Sequence, residues 1–565
     1  MLGAELLLKS LEEQGVELVF GIPGGSVIPL YDVLKKSSIK HILTKHEQGA
    51  AHAADGYARV TGKPGVCFAT SGPGGTNLIT GLATAQMDSS PVIAITGQVA
   101  SSFIGKDSFQ EADMLGLSHP VTKYSYLVRD ANDIPGIVEE AFFIATQGRP
   151  GPVLIDIPKD VFTQKVTEVR NPGVRKHLLE KLKKPELDFT QVEKAVEALK
   201  KAKKPLIIVG GGVNNSEGSN RLLQDFAMKN EIPVSQTLMG KGVFPADHPL
   251  FLGMVGMHGT IEANWAMQNC DCLLAVGMRF DDRVTGRVEQ FASKAKVIHV
   301  DIDAAEHNKN RASDIPIVGD SKDFLEVLCE KLWASRNNKE WLRSILIQNP
   351  VEKVNFGRGL DPEGVMNLIN SLLDDDTVVV TDVGQHQMWA ALFVHPKKPR
   401  SFITSGGLGT MGFGLPAAIG VQMAYPDKKV VLITGDGSLQ MNLQELAVIK
   451  QWNLPIKIFL INNGSLGMVR QWQELFFQEN YAETILEVGP DWEKLAGAYN
   501  IKAKTLYENR ELKETLHSSM ANREPWLVDI KVDPGANVFP MVPAGCSLDQ
   551  MYRSWKNEAH VSSIG

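Results

Sequence analysis

The sequence predicts an α/β protein built from three doubly wound domains, each arranged around a parallel sheet. Two observations support this fold class: short apolar, β-branched runs end repeatedly in glycine, and the apolar residues between them recur at helical spacing. Strands this apolar are buried on both faces, which is typical of parallel sheets covered by helices. A length of 565 residues allows roughly three or four such domains.

The first domain is predicted over residues 1–165, where the pattern occurs most often. We expect a helix over residues 48–60, after the second of five strands. The strands are expected in the apolar runs at residues 18–25, 39–44, 65–75, 91–97 and 153–158. Charge and proline content rise over residues 166–190, which indicates a linker.

A second domain is predicted over residues 191–335 and a third over residues 363–565, with a linker at residues 336–362 between them. Strands of the second domain are expected in the runs at residues 205–212, 272–277 and 297–301. The third domain is expected to contain a strand at residues 377–384, a glycine-rich run at 405–414 and a strand–helix–strand unit at 430–469.

Composition argues against several classes of function. The net charge of −7 and the lack of a long basic face argue against nucleic-acid binding. No apolar run approaches the roughly 20 residues of a membrane-spanning helix. The chain opens with an amphipathic helix, so we expect neither a signal peptide nor a transit peptide, and the expected compartment is the cytoplasm. The five cysteines are scattered without metal-binding spacing, so no zinc site is expected.

The strand–helix–strand unit is the most informative stretch. Its first apolar run, residues 430–434, ends at Asp436 between two glycines, and Ser438 is expected to cap the helix that follows. Apolar residues between 439 and 447 recur at helical spacing in that helix. A second strand at residues 455–461 ends at Asn463.

Asp436 and Asn463 are predicted to lie close together, because a right-handed crossover brings both strand ends to one edge of the sheet. One carboxylate, one amide oxygen and a backbone carbonyl near Ser465 form an incomplete shell of oxygens. Such a shell suits Mg²⁺ that also binds phosphate oxygens. Alone, Gly435-Asp436-Gly437 and Asn462-Asn463 are sequences that occur commonly in turns. Together they resemble the diphosphate-binding signature of thiamine-diphosphate enzymes.

Glu47 follows the strand at residues 39–44 and precedes a helix of small residues. Taken alone, an acid at this place is explained by a structural role, as a favourable charge at a helix N-terminus. Combined with the metal unit, it fits the acid that thiamine chemistry needs, one that exchanges a proton with the aminopyrimidine ring.

Over nearly its whole length the sequence resembles the large catalytic subunit of acetohydroxyacid synthases, also called acetolactate synthases. The motifs that carry this resemblance are residues 20–25, 45–50, 70–74, 149–153, 257–260, 279–286, 406–414 and 466–472. Several are shared among thiamine enzymes. The run at 279–286 and the pair Gln471-Trp472 narrow the resemblance to this family.

The resemblance implies that Glu47 activates the coenzyme and that Asp436, Asn463 and the main-chain carbonyl of Ser465 bind Mg²⁺. Many family members have histidine where this chain has Ser465, which should not matter for a main-chain ligand. The Gly409 carbonyl would accept from the pyrimidine amino group, and Met411, otherwise a plausible core filler, would bend the coenzyme. The remaining implied contacts with thiamine diphosphate are Gly25, Val383, Gly384, Gln385, His386, Gly437, Ser438, Gly467 and Met468.

The second domain carries a different signal. Glycines 210–212, Gly277 and Asp301 each follow a predicted strand and form an edge able to hold a dinucleotide, although glycines after strands are often simple turns. The resemblance implies that the ligand is FAD and that it undergoes no net redox change. The implied FAD contacts are Arg149, Gly211, Thr237, Leu238, Met257, His258, Gly259, Gly277, Arg279, Asp281, Asp301, Ile302 and Asp320.

The substrate pocket is expected between domains. Arg283 would bind the carboxylate of a second 2-ketoacid, and Trp472 would contact its alkyl group, where one additional methylene is worth about 0.8 kcal/mol. A surface arginine and a core tryptophan are the structural alternatives. The resemblance adds Gly25, Phe109, Gln110 and Lys159 to the same site.

The implied reaction joins two pyruvates, or pyruvate and 2-ketobutyrate, at the first common step toward branched-chain amino acids. The resemblance also implies a homodimer or homotetramer and a small regulatory subunit, and we expect the apolar segment 538–545 to close over the entrance as a lid. A pyruvate oxidase, a flavin-free catabolic acetolactate synthase and a non-catalytic thiamine-binding scaffold are the alternatives.

Overall fold

The computed structural model describes residues 1–331, 338–348 and 359–553. These residues form three six-stranded sheets in which every pair of neighbouring strands is parallel, so the predicted fold class is confirmed. The domain boundaries drawn above stay predictions. Residues 332–335 of the second predicted domain, residues 336–337 and 349–358 of the second predicted linker, and residues 554–565 of the third predicted domain lie outside the described residues.

The first sheet has the strand order β2-β1-β3-β4-β6-β5. Its strands are β1 (Leu18–Gly21), β2 (Lys40–Leu43), β3 (Gly65–Ala69), β4 (Val92–Gln98), β5 (Tyr124–Leu127) and β6 (Val153–Pro158). Its helices are α1 (Gly3–Glu13), α2 (Ile28–Leu34), α3 (Glu47–Thr61), α4 (Pro73–Thr76), α5 (Ile79–Met87), α6 (Met114–Ser118), α7 (Ile134–Thr146) and α8 (Lys159–Thr163). Strand β3 shows the two-faced burial expected for a parallel sheet, because Val66 and Phe68 pack into one apolar cluster and Cys67 and Ala69 into another.

The second sheet has the order β12-β11-β10-β7-β8-β9. Its strands are β7 (Pro205–Val209), β8 (Val234–Gln236), β9 (Phe251–Met254), β10 (Cys272–Val276), β11 (Lys296–Asp301) and β12 (Ile315–Val318). Helices in this part of the chain are α9 (Lys176–Lys181), which lies in the first predicted linker, α10 (Phe189–Lys201), α11 (Gly211–Asn215), α12 (Ser219–Lys229), α13 (Ile261–Asn269), α14 (Asp282–Thr285), α15 (Ser321–Lys331) and α16 (Lys339–Leu346).

The third sheet has the order β14-β13-β15-β16-β18-β17. Its strands are β13 (Thr377–Thr381), β14 (Phe402–Ile403), β15 (Lys429–Gly435), β16 (Lys457–Asn462), β17 (Lys502–Leu506) and β18 (Trp526–Lys531). Its helices are α17 (Pro362–Ser371), α18 (Gln385–Phe393), α19 (Gly414–Ala424), α20 (Asp436–Gln440), α21 (Leu446–Trp452), α22 (Gly467–Phe476), α23 (Trp492–Ala498) and α24 (Asn509–Met520).

The crossover between β15 and β16 differs from the single capped helix that the sequence predicts. Helix α20 already begins at Asp436, so Ser438 is not its cap, and the Ser438 hydroxyl instead donates to the Val383 carbonyl over 2.7 Å. The helix is then interrupted before α21, because Asn442 leaves the helical conformation and donates its side-chain amide to the Gly412 carbonyl over 2.8 Å. The interruption lets the crossover contact the glycine-rich run.

The first and third domains pack against each other through α3 and α19. A Cβ atom on Gly420 would lie 1.9 Å from the Ala53 carbonyl oxygen, and one on Gly56 would lie 2.3 Å from that of Ala417. Only glycine allows the two helix backbones to approach this closely. The domains are therefore joined by a tight helix crossing, and not only by the linkers.

The C-terminal segment returns across the second and third domains. Val538, Met541 and Val542 are buried, and the Val542 N–H donates to the Met257 carbonyl over 2.7 Å. Closure of this segment over an entrance stays a prediction. No helix among the described residues is both long and apolar enough to cross a membrane.

Candidate active site

The structure brings Asp436 and Asn463 to the same edge of the third sheet. Strands β15 and β16 are parallel neighbours, with Gly435 opposite Ile461, and each predicted ligand directly follows its strand end. Together with Ser465, both residues line a cavity of about 60 Å³. The arrangement places a carboxylate, an amide and a main-chain segment around one small space.

The chemistry of this cavity fits a divalent cation and phosphate. Among the described residues that line it, Asp436 is the only carboxylate, and neither lysine nor arginine lines it. Burial raises the pKa of Asp436 to about 6, and backbone hydrogen bonds and the charge of Lys531 offset its loss of hydration only in part. Mg²⁺ held by few protein oxygens would supply further positive charge and keep positions open for phosphate.

His386 adds a second indication of a ligand. It lines the same cavity, and its Nε2 atom is buried without a hydrogen-bond partner. Burial lowers the pKa of His386 to about 3, so the ring is neutral. An unpartnered buried ring nitrogen is costly unless a bound group contacts it.

Two buried carboxylates that the sequence analysis missed hold the glycine-rich run with Gly409 and Met411. Asp382 accepts from the N–H groups of Gly412 and Gly414, at 2.9 and 3.1 Å, and Asp88 accepts from those of Gly406 and Gly407, at 3.0 and 2.6 Å. Asp382 stands directly after β13, the same sequence signal that identified Asp436. Asp88 carries no such signal.

A cavity of about 1070 Å³ lies between the second and third domains. Arg283 and Trp472 both line it, and the Arg283 side chain is 61% exposed. Other predicted site residues that line this cavity are Thr237, Leu238, Met257, His258, Arg279, Asp281, Val383, Gly384, Gly409 and Met468. Because Val383, Gly384 and Met468 also line the small cavity, the two spaces adjoin.

A third cavity, of about 360 Å³, lies mainly between the first and second domains. It is lined by the predicted residues Arg149, Gly211, Thr237, Gly277, Arg279, Asp281, Asp301, Ile302 and Asp320. Thr237, Arg279 and Asp281 also line the 1070 Å³ cavity. One extended ligand could therefore occupy both spaces. Gly259 lines neither, because it packs in a tight turn against Asn264.

Burial shifts the pKa values of two polar side chains in these larger cavities, and one of them has a ring nitrogen without a hydrogen-bond partner. Burial raises the pKa of Asp301 to about 6 and lowers that of His258 to about 4. The His258 Nδ1 atom lies 3.2 Å from the Pro540 carbonyl oxygen, whereas its Nε2 atom is buried without a partner. A long ligand with hydroxyl and amide groups, such as a dinucleotide, fits this lining.

Apart from Arg149, the predicted site residues of the first domain do not line these cavities within one chain. Glu47 opens α3, where its Oε2 atom accepts from the Asn77 side-chain amide over 2.9 Å. None of Glu47, Gly25, Gln110 and Lys159 lines the three cavities above, and Phe109 is 89% exposed. Gly25 and Lys159 are exposed, whereas Glu47 and Gln110 are half-buried, so this half of the predicted site lies outside the three cavities of the single chain.

Family models of thiamine pyrophosphate enzymes match three parts of the chain. The N-terminal TPP binding domain matches residues 1–117, the central domain matches residues 192–328, and the C-terminal TPP binding domain matches residues 382–530.

Curated relatives match nearly the whole chain. A probable acetolactate synthase large subunit from Methanocaldococcus jannaschii is 48% identical, with 99% of this chain and 97% of the relative covered. The acetolactate synthase isozyme 2 large subunit of Escherichia coli K12 is 47% identical, with coverages of 98% and 99%. The acetolactate synthase large subunit of Lactococcus lactis is 45% identical, with coverages of 97% and 96%.

Proposed function

The chain belongs to the acetolactate synthase large subunits, a family of thiamine-diphosphate enzymes, and from this premise we propose which of its residues carry the reaction. Its activity is that of an acetolactate synthase in branched-chain amino acid biosynthesis. One pyruvate loses carbon dioxide, and the remaining two-carbon unit is joined to the ketone carbon of a second 2-ketoacid. A second pyruvate yields 2-acetolactate, and 2-ketobutyrate yields 2-aceto-2-hydroxybutyrate.

One observation carries the assignment of residues. The small cavity with Asp436 and Asn463 adjoins the large cavity with Arg283 and Trp472. A coenzyme held by its diphosphate in the small cavity would extend into the large cavity. There the second ketoacid needs a cation for its carboxylate and an apolar side chain beside its alkyl group. Arg283 supplies two N–H groups for a carboxylate, a geometry that lysine lacks.

We assign the coenzyme end of the site as follows. When bound, thiamine diphosphate would supply a thiazolium carbon acidic enough to become the nucleophile and a ring able to accept the electron pair that departing carbon dioxide leaves behind. Asp436, Asn463 and the Ser465 carbonyl hold Mg²⁺. Glu47 holds and returns a proton at the aminopyrimidine ring. Asp382 keeps the backbone around Met411 in place through the hydrogen bonds described above.

We assign FAD to the two larger cavities. Strand termini of the second domain form one end of the 360 Å³ cavity, and Asp301 and Asp320 lie there. Dinucleotide ribose groups are commonly bound at such strand termini. Arg279 and Asp281 would connect the two ends of the ligand, since they line both cavities. In this assignment FAD undergoes no net redox change.

We propose that two chains are needed for one site. Phe109, on the same loop as Gln110, is 89% exposed, and Leu408 and Met441, beside Gly409 and Met411 on the third domain, are 45% and 53% exposed. Apolar side chains grouped at two halves of a site call for a covering surface. The first domain of a partner subunit would cover the third and bring its Glu47 to the coenzyme, in a homodimer or homotetramer. The relatives are named large subunits, which suggests a small regulatory subunit as a further partner.

The shared site can be tested by mixing two inactive variants, Glu47→Gln and Asp436→Ala, after dissociation and reassembly. In a mixed dimer with sites formed between chains, one site carries both defects and the other carries none. Random pairing should restore about one quarter of the wild-type activity. If each site were formed within one chain, every chain would carry a defect, and no activity would return.

The activity is tested by supplying the protein with thiamine diphosphate, Mg²⁺, FAD, pyruvate and 2-ketobutyrate and measuring both products. We expect acetolactate and acetohydroxybutyrate, with a flavin spectrum that pyruvate does not bleach without oxygen. Bleaching would favour a pyruvate oxidase. A colourless active protein would favour a flavin-free catabolic enzyme, and absence of both products would contradict the proposed function.

Replacing Trp472 by leucine should chiefly reduce the preference for 2-ketobutyrate. The indole contacts the additional methylene, and loss of about 0.8 kcal/mol or somewhat more corresponds to a several-fold change in product ratio. The ratio of the two products under competition measures the effect. Phe476, whose ring packs 5.5 Å from that of Trp472 but does not line the cavity, provides the control variant Phe476→Leu. An unchanged ratio in Trp472→Leu would remove the indole from the pocket.

A further inference from the structure

Three buried amide side chains form a continuous chain of hydrogen bonds behind the metal edge. Asn463 Nδ2 donates to Gln385 Oε1 over 2.9 Å, and Gln385 Nε2 donates to Gln471 Oε1 over 2.9 Å. Gln471 Nε2 then donates to the Val538 carbonyl over 3.1 Å. Gln385 is 2% exposed and Gln471 is fully buried, so water does not compete for these bonds.

The direction of this chain of hydrogen bonds is imposed by the backbone of residues 536–538, at the start of the C-terminal segment. A side-chain amide can be turned over, which exchanges its donor and its acceptor, whereas a backbone N–H only donates and a carbonyl only accepts. The Val538 N–H donates to Gln471 Oε1 over 2.8 Å, and the Ala536 carbonyl accepts from Gln385 Nε2 over 3.1 Å. Each glutamine amide therefore has one permitted orientation.

This orientation is passed on to Asn463. Since Gln385 presents an oxygen, Asn463 must direct its nitrogen toward it, which leaves Asn463 Oδ1 for the cavity that the residue lines. The Ser465 N–H, 3.1 Å from the same Oδ1, supports this orientation. Only the amide oxygen can bind Mg²⁺.

Gln471 also belongs to α22, the helix that carries Trp472. The preceding residue, Arg470, donates to the Ala536 carbonyl over 3.1 Å and to the Asn537 side chain over 2.7 Å. The C-terminal segment, α22 and Asn463 are thus joined by hydrogen bonds that meet at Gln471.

We propose that Gln471 is a positioning residue that presents the oxygen of Asn463 to Mg²⁺ and fixes Trp472 against the second substrate. The inference rests on the proposed function, because it uses the roles assigned there to Asn463 and Trp472. It adds that metal affinity and substrate preference both depend on the buried side chain of Gln471.

The variant Gln471→Met tests the proposal, because methionine has similar length but no strong donor or acceptor. Gln385 then loses one of the two acceptors that fix its orientation, so the orientation of Asn463 is held less firmly, and α22 loses its bonds to Val538. We expect the Mg²⁺ concentration needed for thiamine diphosphate binding to rise about 10- to 100-fold, as is typical when a partner of a metal ligand is removed. The share of acetohydroxybutyrate should fall at the same time. Intrinsic fluorescence during coenzyme titration at stepped Mg²⁺ concentrations measures the first effect without turnover.

Two further variants separate positioning from simple packing. Gln471→Glu keeps acceptors for Gln385 and for the Val538 N–H, so its Mg²⁺ requirement should stay closer to that of the wild type than the requirement of Gln471→Met. Gln422→Met is the matched control: Gln422 is 1% exposed, donates to three backbone carbonyls and lines none of the three cavities. It should lose stability while keeping the Mg²⁺ requirement and the product ratio.

A folded Gln471→Met protein with the wild-type Mg²⁺ requirement and product ratio would overturn the proposal. So would equal effects from Gln422→Met. If the wild-type protein formed no acetolactate, the proposed function would fail, whereas the titration of coenzyme and Mg²⁺ would still decide the role of Gln471. If Trp472→Leu left the product ratio unchanged, only the substrate part of the proposal would fail.

Discussion

Replacing Glu47 by glutamine should lower the turnover number about 10²- to 10⁴-fold, the usual contribution of a positioned acid or base. Glutamine has the same shape and can still accept from the Asn77 amide, which lies 2.9 Å from Glu47 Oε2, so the start of α3 should keep its conformation. It cannot hold a proton and return it. Steady-state rates measured at saturating thiamine diphosphate and Mg²⁺ test this expectation.

The affinity for the coenzyme separates a chemical role from a binding role. In Glu47→Gln it should change only a few-fold, since the diphosphate is held by the third domain. Glu12→Gln provides a control in the same domain, because the Glu12 side chain accepts hydrogen bonds from the nearby Ser37 and Ser38 on the surface. Near-normal turnover in Glu47→Gln would refute the proton-transfer role.

Replacing Asp436 by alanine should weaken binding of thiamine diphosphate and Mg²⁺ by at least about 100-fold. Removing a residue that only hydrogen-bonds to a metal ligand already lowers metal affinity about 10- to 100-fold, and Asp436 is itself assigned as a ligand. Asp436 is the only carboxylate among the described residues that line the 60 Å³ cavity. None of the other described residues lining this cavity is an acid that could replace it. Coenzyme titration at several Mg²⁺ concentrations measures the loss.

The stability of the cofactor-free protein gives a second readout for Asp436. Its pKa in the folded state, about 6, lies above the usual value, so folding binds a proton between about pH 4 and 6 and this group favours folding more as the pH falls. At neutral pH the buried charge opposes folding. Asp436→Ala should therefore unfold at the same temperature as the wild-type protein, or higher, without cofactors.

Added thiamine diphosphate and Mg²⁺ should raise the unfolding temperature of the wild-type protein only, because stabilisation by a ligand requires that it bind the folded state. A variant that unfolded early without cofactors would instead indicate a structural role for Asp436. Equal stabilisation of both proteins by the cofactors would contradict its assignment as a metal ligand.

Most of the strands that the sequence predicted are buried, although the edge strand β2 was predicted and the buried strands β8 and β18 were not. The central strands β3, β4, β10 and β15 are mainly apolar and almost fully buried, and they end near glycine or polar turns, so their pattern can be recognised locally. Strands β5 and β17 lie at sheet edges, are partly exposed and mix polar with apolar residues, so they give no such pattern. Edge strands are specified by the neighbour that they pair with.

The same distinction applies to the site. Asp436 and Asn463 could be identified because each follows an apolar run directly, and parallel topology then brings strand ends together. Asp88 could not, because it binds Gly406, which is 318 positions away, through a contact between domains. The break after α20 escaped prediction for a similar reason, since Asn442 leaves the helix in order to bind Gly412.

The sequence by itself determined the three parallel sheets, the residues at their strand ends and the family of the chain, because hydrophobic periodicity and contiguous motifs are local properties. Only the tertiary structure decided which cavities adjoin, that Glu47 lies apart from them, and how Gln471 links Asn463 to the C-terminal segment. These features depend on distances and hydrogen-bond directions between residues far apart in the chain, which no local pattern encodes.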